Sequence, residues 1–245
     1  MFRFFKKTKK PAWPPLLPRV RHSIRTLALS ADDDISRPDS ATLDLALKAA
    51  AQAATISLAG LAQKFAAKPD AIFYDVFPGE HYRMLAALAR VLAPQLVVEI
   101  GTFTGMSTRV LADYSPAGTR IMTFDIAPWT QFNTHLAASD FGVKCEQVLS
   151  DLRDEANFDA HRARLANADF IFLDGPKDVD FEWTFLRRLA SLHFARDAWL
   201  MIDDIRMWNM LGIWRRIASP KLDLTSFGHW SGTGLVHVGH RLALE

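Results

Sequence analysis

The chain has 245 residues, 49% of them hydrophobic and 23% charged, with a mean hydropathy near zero. That composition excludes collagen, coiled coil and wholesale disorder, and it suits one large α/β domain or two small ones. Cys145 stands alone, so an intramolecular disulfide and a Cys-x-x-Cys zinc site are both excluded, and a reducing, cytoplasmic setting is expected.

Residues 1–25 carry eight basic side chains and no acidic one, which leaves 21 basic against 27 acidic residues in the rest of the chain. A body with that acidic excess is a poor binder of polyanions, so no specific nucleic-acid partner is expected. The start M-F-R-F-F-K-K lacks the apolar run of a signal peptide, and Pro11, Pro14, Pro15 and Pro18 would break a helix there. Residues 1–38 therefore read as a flexible basic arm, suited to a solubilising role or to a weak contact with a membrane surface. The sequence leaves an oligomer open.

Residues 39–94 read as a helical extension packing on the core. The alanine-rich stretch 41–66 predicts a helix, and Asp44, Lys48 and Gln52 argue against its spanning a membrane. A turn at Phe77-Pro78-Gly79 leads into 80–92, where Tyr82, Leu85, Leu88, Ala89 and Leu92 recur at helical spacing. From Gln95 short apolar runs alternate with amphipathic segments. Strands are predicted over 96–100, 120–125, 144–149, 169–174 and 198–203, and helices near 105–114, 130–140, 157–166, 181–192 and 207–218. Such alternation means a parallel sheet with helices on both faces. The runs 222–227 and 235–241 are joined by only Gly228–Gly234, a connection that admits an antiparallel hairpin. Residues 95–245 thus predict an α/β, Rossmann-like, seven-stranded and mostly parallel sheet with an antiparallel C-terminal hairpin.

The first chemical pattern is V-V-E-I-G-T-F-T-G-M-S-T, residues 97–108, in which a strand ends, a turn carries Gly101 and Gly105, and a helix opens with Ser107. A dinucleotide fingerprint would need glycine at Phe103, so the turn argues against NAD. Glu99 is a carboxylate in an apolar strand, costly unless it is paired or faces a polar cleft. Asp125 ends the next strand, where a carboxylate can accept two ribose hydroxyls. Asp151, after the third strand, is placed either to approach an adenine amine or to cap a helix.

The run E-I-G-T-F-T-G-M-S-T followed by F-D resembles class I S-adenosylmethionine-dependent methyltransferases, particularly their O-methyltransferases, over about residues 75–245. The resemblance implies a first loop, with Glu99, Gly101, Thr102, Phe103, Gly105 and Ser107, around the methionine moiety, Asp125 on ribose and Asp151 near adenine. A further pattern sharpens it. F-I-F-L-D-G-P-K-D and L-M-I-D-D-I bring Asp174, Asp203 and Asp204 to one rim of a parallel sheet, where three carboxylates repel one another unless a cation lies between them. Oxygen-only ligands favour Mg²⁺ or Ca²⁺ over zinc.

This pattern resembles the metal-dependent catechol-type and macrocin-type O-methyltransferases. On that resemblance Asp174, Asp203 and Asp204 are metal ligands, Asp174 also borders the cofactor, and Lys177 is a candidate base acting with Asp174. The catechol enzymes place an amide where Asp204 stands, so the extra charge points to a changed metal preference or to a sugar diol. Glu80, His81 and Tyr82 fall where related enzymes close over the methyl donor, and His229 and Trp230 lie in the hairpin beside the expected cleft; these five are candidate substrate contacts. The implied activity is divalent-metal-assisted O-methylation of a small molecule or glycan. A nucleotide-dependent oxidoreductase and a silent cofactor-binding module are the alternatives.

Overall fold

The computed structural model describes residues 36–142 and 144–245. Strands β1 (Leu96–Ile100), β2 (Arg120–Asp125), β3 (Cys145–Leu149), β4 (Phe170–Leu173), β5 (Ala198–Asp203), β6 (Lys221–Asp223) and β7 (Thr233–Gly239) build one sheet in the order β3-β2-β1-β4-β5-β7-β6. The first five run parallel, and β7 is antiparallel to both β5 and β6. The helices are α1 (Ser40–Thr55), α2 (Ala59–Lys64), α3 (Tyr82–Leu92), α4 (Met106–Tyr114), α5 (Glu155–Leu165), α6 (Asp180–Ala190) and α7 (Met210–Arg215).

Alternation along the strands divides the apolar side chains between two cores. Val97, Ile121, Phe172, Met201 and Leu235 pack with α1, α3 and α4 on one face. Val98, Ile100, Phe124, Leu173 and Ile202 pack with α5, α6 and α7 on the other.

Several predicted elements change shape. The helix expected over 41–66 breaks where Ile56 turns extended, and the Asp75 carboxylate takes the Leu58 amide at 2.6 Å before α2 begins. The helix expected over 130–140 is absent: two short 3₁₀ turns, Trp129–Gln131 and Ala138–Asp140, flank an irregular strap. Its amides find partners outside a helical ladder, His135 donating to the Thr104 carbonyl at 2.7 Å and Ala137 to the Asp140 carboxylate at 2.7 Å. The run 222–227 ends as a strand at Asp223, whose carboxylate accepts the Thr225 amide and starts a 3₁₀ turn.

Residues 1–35 of the proposed arm lie outside the described residues. At its end, the Arg37 amide donates to the Lys221 carbonyl at 2.8 Å, so 36–38 lie along β6. Among the described residues no helix is long and apolar enough to cross a membrane.

Candidate active site

β1 pairs with β2 on one side and β4 on the other, so the chain leaves the sheet in opposite directions beyond their carboxyl ends. Ligands of open α/β sheets bind at such a switch point. A cavity of about 440 Å³ opens there, with Tyr82, Thr102, Phe103, Asp125, Asp151 and Asp174 among its walls. Gly101 (φ +100°) lets two loops touch: a Cβ there would lie 2.1 Å from the Asp174 carbonyl oxygen. Gly105 (φ +79°) starts α4 in a conformation that favours glycine, and a Cβ would meet the Leu136 side chain at 2.3 Å.

The Asp125 carboxylate accepts the Phe103 amide (2.8 Å) with one oxygen and the Ala127 amide (3.0 Å) with the other. Each oxygen keeps a further lone pair. Asp151 accepts the Arg153 amide at 2.9 Å while lining the cavity, so it serves its own turn as well as the wall. Ser107 also lines the cavity, and the Thr102 and Thr123 hydroxyls share a 2.7 Å hydrogen bond beneath it. Tyr82, expected to contact substrate, stands in the wall of this same cavity, with its hydroxyl 3.6 Å from the Met106 sulfur.

Glu99 sits elsewhere. It is fully buried beneath the loop, accepts the Thr108 hydroxyl, and has its Oε1 unpartnered. Burial pushes its carboxyl up to about 7, against the opposing effect of the Ser107, Thr108 and Thr123 hydroxyls.

Beside the cavity the predicted carboxylates converge. Lys177, buried, pairs with Asp174 and lies 3.3 Å from Asp204. Asp203 lies 3.2 Å from His81 Nδ1 and 3.1 Å from His229 Nδ1, and His229 reaches Asp204 at 3.2 Å and Glu80 at 3.6 Å. Glu80 and His81 arrive through backbone pairing of Gly79 with the terminal hairpin, the Gly79 amide donating to Gly228 at 3.0 Å and Trp230 donating back at 3.1 Å. The Trp230 ring is exposed and stacks beside His229.

Burial works against the charges of His229, Lys177 and Asp203, yet their partners prevail, whereas at Glu80 burial prevails and raises the carboxyl above its ordinary value. His229 is raised to about 10 by its bonds to Asp203 and Asp204. Lys177 is raised above its ordinary value by Asp174, Asp203 and Asp204. Asp203 is held far below the usual carboxylate range by His81, His229 and Lys177. The repulsion expected from three bare carboxylates is thus already answered by the chain's own cations.

Glu182, which the sequence reading passed over, is fully buried and accepts the Lys177 amide at 2.7 Å and the Val179 amide at 2.9 Å, pinning the loop after β4. Of the six described non-glycine residues with left-handed backbone, five (Phe103, Lys177, Val179, Asp204 and Trp208) lie on the loops after β1, β4 and β5. Strain of this kind concentrates at functional sites.

Residues 98–205 match the family model described as a methyltransferase domain. Among curated proteins none matches by sequence. Similar solved structures include a methyltransferase from Geobacter sulfurreducens, 21% identical with a TM-score of 0.46, covering 66% of this chain and 78% of that one. Another is the O-methyltransferase TomG from Streptomyces achromogenes, involved in tomaymycin synthesis and solved with S-adenosylmethionine; it is 19% identical with a TM-score of 0.46, covering 84% of this chain and 96% of TomG. The MycE methyltransferase of the mycinamycin pathway, solved with Mg, S-adenosylhomocysteine and mycinamycin VI, is 20% identical with a TM-score of 0.38, covering 48% of this chain and 30% of MycE. Residues 98–205, which run from β1 to just past the end of β5, thus match a methyltransferase domain, and the β3-β2-β1-β4-β5-β7-β6 sheet is built around that segment.

Proposed function

We propose that the methyl group goes to a hydroxyl oxygen of a small molecule or glycan, in the cytoplasm, with a divalent cation at the acidic cluster. The observation that carries this reading is the position of Asp174, which lines the donor cavity and also pairs with Lys177, so that the two halves of the site meet at one residue.

The donor cavity suits S-adenosylmethionine. The free lone pairs of Asp125 can accept ribose hydroxyls, Asp151 stands on the wall for the adenine, and the 101–105 backbone lies open to the methionine moiety. The bound donor supplies an electrophilic methyl on a sulfonium, which leaves the protein to orient the nucleophile and manage its proton.

The cluster also suits a cation. Asp203 Oδ1 and His81 Nε2 are buried without partners, and the ligand atoms of His81, Asp174 and Asp203, like those of Asp203, Asp204 and His229, lie within 4.8 Å of one another. A divalent ion there supplies Lewis acidity to an acceptor oxygen. The two imidazoles extend the oxygen-only set anticipated from sequence, which weakens a preference for Mg²⁺ over Mn²⁺ or Zn²⁺. Lys177 holds its proton at Nζ and orients Asp174 and Asp204; it can take a proton only when those carboxylates have their charge taken up elsewhere. Phe103, with its exposed ring at the position a pyrophosphate would approach, weighs against the oxidoreductase reading.

The test is incubation with methyl-labelled donor and a panel of hydroxylated small molecules and glycans, in chelator and then with Mg²⁺ or Mn²⁺. Label on oxygen, lost in chelator and restored by the ion, is expected, and Asp203→Asn should lower turnover far more than donor affinity. Undiminished transfer in chelator rejects the metal, and label on nitrogen or carbon rejects the hydroxyl.

A further inference from the structure

The strap between β2 and β3 bonds to the loop that walls the donor cavity. The Thr104 carbonyl accepts both the His135 amide (2.7 Å) and the Thr134 hydroxyl (3.1 Å), and Leu136 packs where Gly105 has no side chain. At the far end of the strap Asp140 pairs with Arg109 of α4. At the near end Asn133 accepts from Lys68 at 2.6 Å. Between these anchors His135 is buried, its ring centroid 4.7 Å from that of Phe65 and 5.3 Å from that of Tyr74. Its Nε2 lies 3.1 Å from Asp70, while Nδ1 is buried and unpartnered, so the proton sits on Nε2 and is donated to the carboxylate.

Phe65, Lys68, Asp70 and Tyr74 all belong to the extension that precedes the matched methyltransferase domain. We propose that His135, held by Asp70, is a positioning residue through which this extension sets the backbone of the 101–105 loop and so the affinity for the methyl donor. A strap with no helical ladder takes its shape from its anchors. Releasing one frees the Thr104 carbonyl and the packing on Gly105, so the loop must be ordered again each time donor binds.

The proposal rests on the donor-cavity reading. Calorimetric titration of the full chain with S-adenosylhomocysteine separates the two. Asp70→Ala and His135→Ala should weaken binding by roughly three- to thirtyfold. Asp70→Asn, whose amide oxygen still accepts from Nε2, should stay within about twofold of the parent. Asp70 is partly exposed, so Asp70→Ala decides the matter even where His135→Ala fails to fold. A lower Tm with unchanged affinity in Asp70→Ala marks a merely structural pair and overturns the proposal, as does Asp70→Asn binding as weakly as Asp70→Ala. Failure of the parent protein to bind overturns the donor-cavity reading and this proposal with it.

Discussion

Glu99 illustrates how much one buried carboxyl can ask of a fold. Below pH 4.5, its ordinary value, folded and unfolded chains both carry the proton; between there and about 7 the unfolded chain releases it while the folded chain keeps it. Stability from this group therefore falls as pH rises through that window, by about 3 kcal/mol in all. Glu99→Gln keeps an acceptor for the Thr108 hydroxyl and removes the ionisation. Urea denaturation should show the variant more stable than the parent at pH 8, with the slope between pH 4.5 and 7 largely gone; a variant retaining that slope would place the titration elsewhere. In sequence Glu99 read as a ligand, because a carboxylate before a glycine turn looks the same whether it faces a cleft or sits beneath it. Gly101, Asp125, Asp174, Asp203 and Asp204 were legible because each ends a strand or opens a loop, so chain position alone sends them to the rim. Asp70 and His135 were not legible. Sixty-five positions separate them, and no local pattern marks such a pair.

At the scale of an element, α1 depends on one cap that does two tasks. Asp39 accepts the Thr42 amide at 2.7 Å and also meets His237 Nδ1 of β7 at 2.9 Å, while His237 Nε2 reaches Asp197 at 2.8 Å. Slight burial would raise the Asp39 carboxyl, but Thr42 and His237 lower it to about 2, and the two carboxylates raise His237 against its own burial. The Asp39 contribution is present above pH 3.8 and fades as pH falls toward 2, whereas the His237 contribution is present below pH 6.5 and fades as pH rises through its raised value. Asp39→Ala should therefore cost about 1 kcal/mol, an amount tempered by solvent at this half-exposed pair, and the loss should be greatest between pH 4 and 6.5. Denaturation at pH 3, 5.5 and 9 checks the shape; an equal loss at all three would leave the cap alone as its cause. Strands were the most legible elements, since runs such as Phe170–Leu173 are apolar throughout. The strap escaped because its amides bond to Thr104 and Asp140, partners that residue periodicity does not encode.

Across the whole molecule, the described contacts begin at residue 36, where the Ser36 hydroxyl accepts the Asp223 amide at 3.1 Å. Deleting residues 1–35 should leave both Tm and S-adenosylhomocysteine affinity unchanged; a chain that no longer folds would show that the core reaches further toward Met1. If the basic segment meets anionic lipid, vesicle association of the full chain should fall with salt while the deleted form shows none. The approach of Gly101 to Asp174 has a consequence for how this enzyme can change. The loop after β1 and the start of the loop after β4 abut main chain to main chain, with no room for a Cβ between them, so on the proposed function the gap the methyl would cross is a dimension of the backbone. On that same proposal, substitutions on the exposed loops around Trp208 and Trp230 would retune which acceptor is admitted while the span of the transfer stays the same.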